Sequence, residues 1–130
     1  MLDQMTISYT LKLSSGSLLV KNAYLATSIL SRLKGLLGRN ELPSDEALVI
    51  SPCNSIHTFG MKFPIDVVFL DKNNTVTGYK MNVRPNRVLF APKKTRKTIE
   101  LASDTLAQHE LRKNLTVGFE RNGPTSAPTE

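Results

Sequence analysis

The stretch "PIDVVFLD" (64–71) restricts the fold more than any other part of the chain. In an extended strand alternate side chains point to opposite faces, so Val67 and Phe69 share one face and Val68 and Leu70 the other. Both faces are apolar, and such a strand has to be covered on both sides. Residues 71–74 follow with polar turn chemistry, and "TVTGYKMNV" (75–83) returns as the partner strand of a hairpin. The other strands this hairpin needs can be read along the chain. "TISYTLKL" (6–13) alternates, with Ile7, Tyr9, Leu11 and Leu13 on one face, and residues 18–20 return after the turn at 14–17. "ALVIS" (47–51), "RVLFAP" (87–92), "TIEL" (98–101) and "LTVGF" (115–119) are further short strands.

Two segments carry a different period. In "NAYLATSILSRLKGLLGR", Leu25, Ile29, Leu33 and Leu36 fall at helical spacing, Asn22 is placed to cap the start and Gly38 the stop. This predicts a helix near 23–36. A shorter one is expected near 103–111, capped by Ser103, with Leu106 and Leu111 facing inward. The expected class is therefore α+β: a mainly antiparallel, barrel-like sheet with an N-terminal helix and a short C-terminal one. Residues 1–119 form one domain, and 120–130 have little to bury and are expected to be disordered.

Composition excludes several classes. No apolar run is long enough to span a bilayer, and the N-terminus lacks the pattern of a signal peptide. A single cysteine cannot form an internal disulfide, so a reducing cytoplasm is the simplest compartment. The formal charge of +6 is local: residues 84–97 hold Arg84, Arg87, Lys93, Lys94, Arg96 and Lys97 and no acid. Such a run attracts phosphates or simply keeps a loop solvated. Without interleaved exposed aromatics or a nucleic-acid motif, the sequence weighs against a nucleic-acid partner.

The chemistry concentrates in "CNSIHTFGMK" (53–62), where Cys53, His57 and Met61 recur every fourth residue. All three are candidate ligands for copper or zinc. Pro52, Asn54, Ser55, Thr58 and Gly60 disfavour helix, and an extended chain sets Cys53 and His57 roughly 13 Å apart. Metal–ligand bonds of about 2 Å cannot bridge that gap, so a metal site through Cys53 and His57 needs a sharp bend or a ligand such as His109. A direct thiolate–imidazole pair fails for the same reason. An extended strand does place Cys53, Ser55, His57, Phe59 and Met61 along one face. Cys53 can equally be a small buried hydrophobe, and His57 a hydrogen-bonded residue at a strand end. Asp66 lies between Ile65 and Val67, where an unpaired carboxylate is costly. It has to accept backbone N–H bonds, pair with Lys62 or Arg84, or face a wet cavity. As a structural group it would pin the bend at 60–64; as a functional one it is an acid–base or ligand-holding group.

Taken in order, "LKGLLGR", "CNSIHTFGMKFPIDVVFLD", "IEL" and "LAQHEL" resemble the domain of unknown function 192 family over roughly residues 20–119. The resemblance implies a compact, mostly β domain of bacteria and archaea with no established activity, many members of which carry a secretion signal. It also implies that Met61, Lys62 and Asp66 belong to a shared signature, whereas Cys53 and His57 mark one branch. Where similar proteins have glycine-containing turns, this chain has Ala102–Ser103 and Lys113–Asn114. Asn accepts a left-handed turn position, so the fold should survive.

The expected function is a non-enzymatic ligand- or partner-binding module using the 53–66 face, without a cofactor. The residues expected to contact the ligand are Cys53, His57, Met61, Lys62, Asp66, Arg84 and Arg87. One alternative is a small enzyme using Asp66 and His57 as acid–base groups on an anionic substrate. The other is a metal-binding protein.

Overall fold

The computed structural model describes residues 7–26 and 39–123. These form nine strands: β1 (Ser8–Leu13), β2 (Leu18–Ala26), β3 (Glu46–Ile50), β4 (Ser55–His57), β5 (Ile65–Leu70), β6 (Val76–Val83), β7 (Val88–Phe90), β8 (Lys97–Ala102) and β9 (Val117–Arg121). Seven of them make one sheet in the order β6-β5-β8-β3-β2-β1-β9, and β4 and β7 make a separate two-stranded ribbon. Only the β2–β3 pairing is parallel. The two edges of the large sheet approach each other. Thr75 bridges Thr116, the Val76 N–H donates to the Leu115 carbonyl and the Val117 N–H to the Asn74 carbonyl. The sheet is thus curled into a half-barrel.

β5 lies between β6 and β8, and all six of its residues are buried. Val68 and Leu70 face the interior of the curl with Leu11, Val49, Ile99, Leu101 and Val117. Ile65, Val67 and Phe69 face the other way, into a second cluster with Leu48, Ile50, Cys53, Ile56 and Met61. The ribbon supplies the cover that the sequence required for that second face.

The α+β class is overturned. Among the described residues nearly everything regular is strand, and the helical element is a three-residue 3-10 turn at Leu106–Gln108. Residues 23–26, where the longer helix was expected to begin, continue β2. There Ala23, Tyr24, Leu25 and Ala26 pair with Ala47, Leu48, Val49 and Ile50. Pairing with a buried neighbour strand overrides the helical spacing, and propensity is a weak prior against such contacts. Asn22 is not a cap: its backbone N–H donates to Asp45, and it lies inside β2. The rest of that span, 27–36, lies outside the described residues. The expected helix at 103–111 fails for a local reason. Asp104 adopts φ 72°, a left-handed conformation that blocks a helix start after Ser103. Leu106 and Leu111 are nonetheless buried, as the spacing implied. Asn114 takes φ 74°, the left-handed turn position expected of it. β9 continues to Arg121, and the Asn122 amide donates to the Lys21 carbonyl. The tail beyond 123 is outside the described residues.

Asp66 fixes the junction between sheet and turn. It is fully buried on the interior side of β5, opposite Leu101 of β8. One carboxylate oxygen accepts the Asn82 N–H at 2.8 Å, and the other accepts the Leu106 N–H at 2.8 Å. Asn82 belongs to a bulge in β6, where the register shifts between Ile65 and Val67, and has φ 53°. The carboxylate therefore does not hold the 60–64 bend. It holds the bulge and the 3-10 turn together. We predict that Asp66→Ala lowers unfolding stability by about 3 kcal/mol or more, since two charge-assisted bonds are lost and two N–H groups are left without acceptors. Urea denaturation of the two proteins measures this; an unchanged midpoint would rule out the structural role.

Candidate functional site

The ribbon begins after the cis Ser51–Pro52 bond, and β4 pairs with β7 through Ser55–Phe90, Ile56–Leu89 and His57–Val88. Strand alternation sends Ile56 into the second cluster and Ser55 and His57 outward. Directly opposite them Val88 and Phe90 also point outward, 47% and 82% exposed. Phe59, half exposed, stacks on His57 with ring centroids 5.4 Å apart and planes at 26°. The outer face of the ribbon is thus an exposed aromatic and aliphatic strip.

Thr58 anchors this strip. It is fully buried, its hydroxyl donates to the Arg84 carbonyl at 2.7 Å, and it accepts the Arg87 N–H at 2.9 Å. Its backbone N–H donates to the Arg87 carbonyl, and its carbonyl accepts the Asn86 and Met61 N–H groups. One side chain therefore fixes where the 84–87 loop sits, and with it Arg84 and Arg87, both exposed beside the strip. Thr58→Val keeps the shape and removes the hydroxyl. We expect it to cost about 2 kcal/mol of stability and to speed amide hydrogen exchange at Arg87, measured by NMR. Unchanged exchange there would refute the latch.

The residues singled out in the sequence divide into three groups. Cys53 and Met61 are buried in the second cluster, and the Cys53 thiol donates to the Ser55 carbonyl at 3.0 Å. His57, Lys62, Arg84 and Arg87 are exposed. Asp66 lies on the far side of β5 with both oxygens occupied. The single face expected for 53, 55, 57, 59 and 61 does not form, because only Ser55–His57 is extended and the chain turns inward on either side. Cys53 points in and His57 points out. Among the described residues no three His, Cys, Asp or Glu side chains converge as a metal site would require.

The sequence reading missed Glu100. It lies in β8 between Ile99 and Leu101 and pairs with Val67 and Leu48, so it enters the second cluster. It is buried, and desolvation pushes its carboxyl up to about 7. Thr98, two residues earlier on the same face, is fully buried and its hydroxyl has no partner. The signal was available: an acid flanked by two apolar residues in a strand is the pattern that drew attention to Asp66. The raised pKa fixes the sign of a pH effect. Between the ordinary carboxyl value of 4.5 and about 7, the unfolded chain releases a proton that the folded chain keeps. Stability therefore falls as pH rises through this window and levels off above it. We predict that Glu100→Gln gains on the wild type by about 3 kcal/mol across the window, measured by urea denaturation at its two ends; parallel curves would contradict the assignment.

Two clefts of about 330 Å³ each flank the ribbon. One is lined by Cys53, Asn54, Ser55, Thr95 and Arg96. The other lies between β6 and β7, where Gly78, Tyr79, Lys80, Phe90, Pro92 and Lys113 are among its lining residues. Residues 72–99 contain eight Lys and Arg and no Asp or Glu, and 47–65 also lack an acid. Lys97 is turned away, with its ammonium 5.5 Å from the centre of the Phe119 ring and bonded to Asn74. Lys80 and Arg96 line the two clefts, and Arg84 and Arg87 lie in the loop that Thr58 holds against the end of β4.

Residues 11–119 match the family model for DUF192, described as "Uncharacterized ACR". The chain belongs to the domain of unknown function 192 family. Solved structures show the same fold. A protein of unknown function from Novosphingobium aromaticivorans is 21% identical with a TM-score of 0.73, over 85% of this chain and 83% of that one. A protein from Sinorhizobium meliloti described as a putative transcription regulator is 16% identical with a TM-score of 0.75, over 86% of this chain and 93% of that one. At these identities the likeness concerns the fold alone. No curated protein matches the sequence. Among the described residues no helix is long and apolar enough to cross a membrane.

Proposed function

We propose that this domain of unknown function 192 member works by binding rather than by catalysis, and that the outer face of the β4–β7 ribbon is where its partner docks. The observation that carries this reading is the exposed strip of His57, Phe59, Val88 and Phe90 bordered by Arg84 and Arg87. A soluble domain that leaves a contiguous apolar strip in water generally uses it for contact. The two acid-free segments that build this face, 47–65 and 72–99, specify the charge of the partner: an anion carrying apolar or planar groups complements both features. Of the 53–66 segment, this reading keeps His57 and Phe59 and assigns Cys53, Met61 and Asp66 to the architecture. An acid–base pair of Asp66 and His57 is disfavoured because Asp66 already accepts two backbone N–H bonds on the opposite side of β5.

Heparin, a soluble polyanion, tests the docking face. We expect Arg84→Glu combined with Arg87→Glu to elute from a heparin column at clearly lower salt than the wild type. Lys12→Glu with Lys21→Glu, an equal change of net charge at exposed positions on β1 and β2, should shift elution much less. Equal shifts for the two pairs would mean that net charge alone governs binding, and the docking face would be abandoned.

A further inference from the structure

We infer that the cleft between β6 and β7 receives a base of a single-stranded nucleic acid whose phosphates follow the cations around the ribbon. This rests on the docking face proposed above and names its occupant. The sequence weighed against nucleic acid because no exposed aromatics were visible among the basic residues. The fold removes that objection: Phe90, 82% exposed, and Tyr79, 39% exposed, both line the cleft, together with Lys80 and Lys113. Arg87 precedes Phe90 by three residues, and Lys93 and Lys94 follow it by three and four, so cations flank the ring along the chain in both directions.

Three considerations favour a single strand over other polyanions. A volume of about 330 Å³ is at the small end of the range for ligand pockets, suited to one planar group with its neighbours outside. An aromatic ring in water gains by stacking on a base, and every base has a face to offer, so such binding needs no hydrogen-bond code. An acidic peptide satisfies the lysines equally well but leaves Phe90 in water, and a duplex keeps its bases stacked inside. The cleft also depends on one small residue. Gly78 is buried in β6, and a Cβ there would come within 2.9 Å of the Pro92 ring. Pro92 can therefore pack down beside Phe90 only because position 78 has no side chain.

Fluorescence anisotropy with labelled oligo(U), oligo(dT), a DNA duplex of equal length and a polyglutamate peptide tests the inference in low and moderate salt. Both single strands, or one of them, should bind more tightly than the duplex and the peptide, and a preference between them identifies the sugar. Phe90→Ala should weaken single-strand binding roughly tenfold and leave duplex binding unchanged, while Phe90→Tyr retains it. Gly78→Ala, which alters neither charge nor aromatic content, should weaken single strands in the same direction. Thermal melts confirm that each variant is folded. If duplex and peptide bind as tightly as single strands, or Phe90→Ala has no effect, the base slot is wrong while the anionic docking face stands. If none of the four probes binds and heparin is not retained, both are wrong.

Discussion

The structure depends on a carboxylate in an otherwise apolar strand. Asp66 interrupts β5 between Ile65 and Val67, and burying it there is tolerable only because two backbone N–H groups meet it. Those groups come from far apart in the chain, a bulge in β6 and the 3-10 turn after β8, so one side chain ties three parts of the fold. The bulge follows from that bond. With Asn82 drawn onto the carboxylate, two residues of β6 oppose one of β5, and the strand bends. The bend sits at the end of β6 from which the chain leaves for the 84–87 loop and the ribbon. An acid that the sequence left open as structural or functional thus sets the exit of β6.

The two-sided burial of β5 and β8 accounts for most of the remaining architecture. A strand with apolar side chains on both faces cannot rest on one core, and here the curl of the large sheet fills one side while β4 and β7 close the other. Ile56 and Leu89 are the inward residues of the ribbon, and their outward neighbours are left in water by the same alternation. Covering the second face therefore creates an exposed strip as its geometrical by-product. Glu100 and Thr98 lie beneath that cover, two polar residues on a face of β8 that otherwise packs against apolar side chains. Their burial leaves this side of the fold less stable than an all-apolar one, and for Glu100 makes that deficit depend on pH.

What could be read from the sequence was whatever depends on period and local turn chemistry. The hairpin at 64–83, the two-sided burial of β5 and the membership of Leu106 and Leu111 in the core all follow from spacing. The helix expected at 23–36 did not survive at residues 23–26, because Ala–Tyr–Leu–Ala is compatible with either period and the parallel pairing with β3 decides it. Nothing near residue 23 announces residue 47. The site was harder for the same reason. Cys53, His57 and Met61 are evenly spaced, but turns on either side of Ser55–His57 send two inward and one outward. Phe90 passed as a strand residue because its exposure depends on pairing with Ser55, thirty-five positions earlier.

The position of Thr58 explains how an exposed strip can be held rigid on so small a ribbon. A two-stranded ribbon is marginal by itself, and three residue pairs give it little register strength. Thr58 follows immediately after β4 and bonds the loop that precedes β7, so it closes the ribbon at the end where the strands would otherwise splay. At the other end the Ala91 N–H donates to the Asn54 carbonyl and the Cys53 N–H to the Arg96 carbonyl. With both ends fixed, the outward side chains are presented on a defined surface. Exposed strand edges with apolar residues invite self-association, and the usual protection is nearby charge. The cations bordering this strip carry one sign only, so two copies meeting face to face repel each other while an anionic partner is attracted. The arrangement that discourages self-association is therefore also the one on which the proposed binding of an anion rests.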